Sequence, residues 1–114
     1  MFKVIAVAPD EIRLDEQAVS AMLTRACRRR MPLWIEGLAA DRERVLFVCT
    51  ERPAGMGRPV YRLSRVETDL AAELRMRYDG GFRTVGVFRG EDDCWILTER
   101  MDDASADGDC RASE

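Results

Sequence analysis

The chain has 114 residues, 46% of them apolar, and a formal charge of −3. This is one domain's length, enough to bury a core. No apolar run approaches a membrane span, and Met1 to Ala8 lacks the form of a signal peptide, so a cytoplasmic location is expected.

The charge is uneven. Asp102, Asp103, Asp107, Asp109 and Glu114 face only Arg111 after residue 100, which is −4 and leaves residues 1 to 100 at +1. A nearly neutral body argues against generic attraction to nucleic acid. Seventeen of the eighteen basic residues are Arg, which fits a compositional bias better than a phosphate-binding surface. Cys27, Cys49, Cys94 and Cys110 form no C-x-x-C pair and histidine is absent. Neither a zinc site nor a disulfide framework is expected, and no metal or cofactor.

Phe2 to Ala8 reads as a first strand, broken by Pro9 and Asp10. Asp15 is a candidate N-cap for a helix running to about Arg30, with Leu14 and Val19 at the hydrophobic staple positions. Ala18, Val19, Met22, Leu23, Ala26 and Cys27 form its apolar stripe. Arg25, Arg28, Arg29 and Arg30 complement the helix C-terminus, before Pro32. Leu33 to Ala40 is a second strand, Asp41 to Arg44 a charged turn, and Val45 to Arg52 a third strand. Arg52 to Pro59 holds two Pro and two Gly and reads as a linker.

Val60 to Leu63 opens the second half as a strand. Ser64 and Glu67 fit a capping box, with Thr68 as an alternative cap. Val66, Leu70, Ala71, Leu74 and Tyr78 give a helical stripe, and Gly80 suits the left-handed position behind it. Phe82 to Phe88 is a fifth strand, Arg89 to Asp93 a hairpin turn, and Cys94 to Arg100 a sixth strand. The segment 102–114 is acidic and poor in apolar residues, and is expected to be a disordered tail.

The third and sixth strands repeat. V-L-F-V-C-T-E-R from Val45 matches D-C-W-I-L-T-E-R from Asp93, 48 positions on. Each copy ends a succession of strand, helix, strand and strand. The expected fold is therefore α+β, a tandem βαββ repeat with halves at residues 1–52 and 60–101 and a linker at 53–59. A largely antiparallel sheet carries two helices on one face, as in a ferredoxin-like two-layer sandwich. Gly81 to Phe88 and Cys94 to Arg100 resemble the post-helix strand and returning hairpin of a group of small bacterial βαββ domains of unknown function. That resemblance covers mainly residues 60–100 and implies the βαββ order, with no catalytic residue and no activity.

No catalytic signature stands out. Without His there is no usual nucleophilic triad. Gly55 to Arg58 lacks the helix that a phosphate loop needs behind it. Glu51, Arg52, Glu99 and Arg100 are the candidate ligand-binding set, since related halves would bring these strand ends together. Phe47, Val48, Trp95 and Ile96 are the candidate interface set, on one face only. Val45 to Cys49 and Cys94 to Leu97 are apolar at successive positions, where a sheet covered on one face would alternate. A second subunit, a protein partner or an apolar ligand is expected on the other face, the alternative being closure of the sheet on itself. The expected function is a non-enzymatic binding or assembly module of adaptor or inhibitor type, self-associating through its sheet. A small-ligand receptor or enzyme with a polar pocket between the halves is the competing expectation.

Overall fold

The computed structural model describes residues 2–90 and 92–102. In chain order it contains β1 (Phe2–Val7), α1 (Pro9–Leu14), α2 (Glu16–Ala26), β2 (Leu33–Ala40), β3 (Val45–Glu51), β4 (Arg58–Arg65), α3 (Leu70–Asp79), β5 (Arg83–Arg89) and β6 (Cys94–Asp102). The fold is α+β. Its strands form two three-stranded sheets, ordered β1-β3-β2 and β4-β6-β5, in which every pairing is antiparallel.

The sequence pattern had suggested one sheet and two helices. The structure has two sheets and three helices, for identifiable reasons. β2 and β5 lie side by side without a ladder of hydrogen bonds, and each carries a register shift on the edge strand concerned, between Ile35 and Gly37 and between Thr84 and Gly86. A bulge bends the strand and interrupts pairing. Side chains fill the seam instead: a Cβ at Gly86 would sit 2.8 Å from Leu38 Cγ, so only glycine admits this approach.

The extra helix, α1, starts at Pro9, the residue expected to break the chain. Proline at the first helical position lacks only an N–H that would be unpaired anyway, and its fixed φ suits the turn. Asp15 caps α2 as its side chain accepts from Ala18 N at 3.0 Å. Leu14 ends α1 in solvent, 87% exposed, so the expected staple to Val19 does not form. α2 stops at Ala26, short of Arg30, where Cys27 becomes the C-cap and its carbonyl accepts from Leu33 N.

α2 does more than cover a core. Leu63 N donates to Ser20 Oγ at 2.8 Å and Tyr61 N donates to Thr24 Oγ1 at 2.9 Å. These hydroxyls satisfy the outward edge of β4, which has no neighbouring strand. One helix of the first half thus seals the second sheet. A single buried cluster follows, joining Val7, Ile12, Leu23 and Phe47 to Tyr61, Leu63, Trp95 and Leu97.

α3 begins later than the expected capping box. Ser64 and Arg65 belong to β4, and Asp69 is the cap, accepting from Ala72 N at 3.0 Å. Gly80 has φ −82° and is the C-cap, while Gly81, at φ +90°, takes the left-handed position. Along the expected stripe Val66 and Leu74 are half-buried, but Tyr78 is exposed. Glu73 instead anchors the helix. It accepts from Glu67 N, Thr68 N, Thr68 Oγ1 and Arg77, and these donors, Thr68 N foremost, hold its carboxyl below the usual value. A depressed folded pKa contributes stability above the unfolded value, which is lost as pH falls through the folded one. Glu73→Gln is expected to flatten the acid limb of the stability profile below about pH 4, read as urea midpoints against pH.

Asp102 is not tail. It ends β6 and accepts from Arg28 Nη2 at 2.6 Å. The remainder of the expected tail, 103–114, lies outside the described residues.

Candidate functional site

β6 is the central strand of its sheet, and one row across it assembles three hydrogen-bonded polar side chains. Tyr61 on β4 and Arg83 on β5 both stand opposite Glu99. Tyr61 Oη donates to Glu99 Oε2 at 2.6 Å, and Arg83 Nε donates to Oε1 at 2.9 Å. Tyr61 Oη also accepts from Ile35 N at 2.6 Å, which ties β2 of the other sheet to the same carboxylate. Glu99 is 2% exposed, so both its oxygens are paired as a buried carboxylate requires. Burial, then the bond to Glu99, pushes the Tyr61 phenol far above its ordinary value.

This row opens on a cleft of about 680 Å³ between the two sheets, lined by Trp34, the linker from Pro53 to Met56, Arg83, Glu99, Arg100 and Met101. The Arg83 guanidinium carbon lies 5.2 Å from the centroid of the Trp34 ring, and that of Arg100 lies 5.5 Å from the Phe82 ring. Of the four expected ligand residues, Glu99 and Arg100 therefore share one cleft. Glu51 is exposed at the end of β3, and Arg52 lines none of it. Arg52 is a latch: its Nη2 donates to Cys27 O at 2.6 Å and its Nε to Leu33 O at 3.2 Å, holding the connection from α2 to β2. Desolvation lowers its pKa.

Tyr61, Arg83 and Trp34 were not singled out from the sequence. The available signal was the strand alternation that puts Tyr61 and Leu63 on one face with Leu97 and Glu99. It needed the β4-to-β6 register, which one sequence does not carry.

The four candidate interface residues fall into three settings. Phe47 and Trp95 are in the core. Ile96 is fully buried on the opposite side of β6 from Trp95, so both faces of that strand are covered within the chain. Val48 is half-buried on the outer face of the first sheet. Three rows of paired residues cross that face, Phe2–Thr50–Trp34, Val4–Val48–Gly37 and Ala6–Leu46–Ala39, all nine uncharged, while exposed Glu36 lies at the bulge beside the middle row and the Arg83 guanidinium lies over the Trp34 ring. Phe2 is 67% exposed and Val4 44%.

A second, larger cleft of about 970 Å³ lies at the opposite ends of β2 and β5, among Arg13, the β2–β3 turn, Phe88 and Asp93. Asp93 Oδ2 accepts from Arg13 Nε at 3.2 Å, and Arg13 also pairs with Asp10. Cys27, Cys49 and Cys94 are free thiols, the first two buried. A hydrogen bond to Cys49, then burial, pushes the Cys27 thiol far up; at Cys49 the same bond outweighs burial and lowers the pKa. Among the described residues no group of three or more His, Cys, Asp or Glu is placed to hold a metal, and no helix is long and apolar enough to cross a membrane.

In comparisons with known proteins the chain matches no family model, no curated protein and no solved structure at a significant level. The geometry alone carries the functional argument.

Proposed function

We propose that this protein is a non-enzymatic assembly module that pairs with a second copy of itself through the outer face of its β1-β3-β2 sheet. The observation that carries this is the uncharged grid of nine positions, with Phe2 and Val4 open to solvent. Natural sheets protect open faces and edges with charge, and this one confines its charge to Lys3 on the edge strand β1, Glu36 at the bulge of β2 and Glu51 at the end of β3. A two-fold pairing sets the same patch against itself, so any charge would meet its like. The nine paired positions are free of that repulsion. The equal strand order of the two sheets, with the third strand of each half central, supports reading the chain as two βαββ units, of which only the first leaves its outer face open.

Sedimentation at increasing concentration should show a dimer. Val4→Asp places a charge on the open face of each copy and should give a monomer with an unchanged circular dichroism spectrum. A wild-type protein that stays monomeric at high concentration would sink the proposal.

A second reading, a small-ligand receptor with a polar pocket between the halves, is favoured by one observation. Glu99 and Arg100 line a cleft whose polar groups are held by Tyr61 and by aromatic stacking.

A further inference from the structure

The cleft between the sheets has a definite electrostatic sense. Its charged lining consists of Arg83, Arg100 and Glu99, which sum to +1. An arginine carries five N–H donors, and Arg83 commits one of them, Nε–H, to Glu99. Its terminal nitrogens have no hydrogen bond or ion pair among the described residues, and the side chain is 47% exposed. Arg100 makes its ring contact with Phe82 and no ion pair among the described residues.

Arg83 is also fixed. Its guanidinium carbon lies over the Trp34 ring, Glu99 pins its Nε edge, and Tyr61, itself held by the Ile35 N–H, pins Glu99. A side chain ordered in advance loses less entropy when it binds. The outer edge of a planar guanidinium offers two parallel N–H groups at the spacing of two oxygens on carboxylate or phosphate. A cationic ligand would meet the Arg83 guanidinium here, and Glu99, the one acid, has both oxygens occupied.

We propose that this cleft binds an oxyanion, a carboxylate or phosphate group, on the free N–H edge of Arg83. The inference rests on the receptor reading and names its ligand class. Trp34 is the reporter, since Trp95 is buried in the core.

The test titrates the full chain with methyl phosphate, acetate and benzylammonium at constant ionic strength, following tryptophan fluorescence. A saturable change with one of the oxyanions is expected, and the stronger of the two identifies a phosphate or a carboxylate as the group recognised. Arg83→Lys keeps a cation beside Glu99 but removes the planar edge, and should weaken that binding about tenfold, or 1.4 kcal/mol. Arg100→Gln, on the opposite face of β6, should leave it unchanged, and both variants should melt as the wild type does without ligand. Oxyanion binding equal in wild type and Arg83→Lys would place it elsewhere and overturn the proposal. Saturation by benzylammonium alone would overturn the oxyanion while leaving a receptor. No response to any of the three probes would remove both.

Discussion

Phe47→Asp is expected to leave no folded protein, whereas Val48→Asp, one residue further along the same strand, is expected to fold. Adjacent residues in a strand point to opposite faces. Phe47 is fully buried in the cluster shared by both sheets, and Val48 lies half-buried in the middle row of the open grid. An aspartate at 47 removes a large aromatic, worth about 3–5 kcal/mol on truncation alone, and puts an unpaired charge where no donor waits. The second term costs several kcal/mol more. The sum reaches the whole stability of a small domain, about 5–15 kcal/mol. At 48 the charge stays near water and the fold survives. Circular dichroism and a urea titration on the two variants check the contrast; comparable unfolding of both would mean that the outer face is covered within one chain.

The same pair of residues shows what the sequence could and could not convey. The 48-residue offset aligns Phe47 with Trp95, and both are core. It also aligns Val48 with Ile96, one half-buried and the other wholly so. Period-two alternation assigns faces, but not what stands in front of them. Glu51 and Glu99 diverge for a related reason. β6 runs on to Asp102 and has a partner on each side at Glu99, whereas β3 ends at Glu51, paired among the described residues with Leu33 alone. Identical T-E-R endings therefore gave one solvent carboxylate and one buried one.

Local signals fared better where the cause was local. Leu33 to Ala40 is the second strand as read, and Asp15 caps its helix through its own side chain. Pro9 ends the first strand as expected, β1 stopping at Val7, but that it also starts a helix is not visible in one proline. The separation into two sheets was out of reach, because it depends on bulges at Gly37 and Gly86 falling on neighbouring edges.

Tyr61→Phe should cost more than the loss of one hydroxyl suggests. The hydroxyl donates to Glu99 and accepts from Ile35 N, so it is the single atom that joins β4, β6 and β2. Phenylalanine fills the same space but strands two buried groups at once, a backbone N–H and one carboxylate oxygen. Each stranded group costs about 1–3 kcal/mol, the charged one towards the upper end. A loss of about 3–5 kcal/mol in urea unfolding is expected, large against the total. The pH profile gives an independent readout. The phenol's folded pKa is raised, so the folded state holds its proton longer than the unfolded chain does. Stability from this residue is present below the unfolded value near pH 10 and falls as pH rises beyond it. Tyr61→Phe should therefore lie below the wild type at neutral pH and draw closer to it in alkali. A change under about 1 kcal/mol, with the same alkaline slope in both proteins, would show that the hydroxyl does not bridge the sheets.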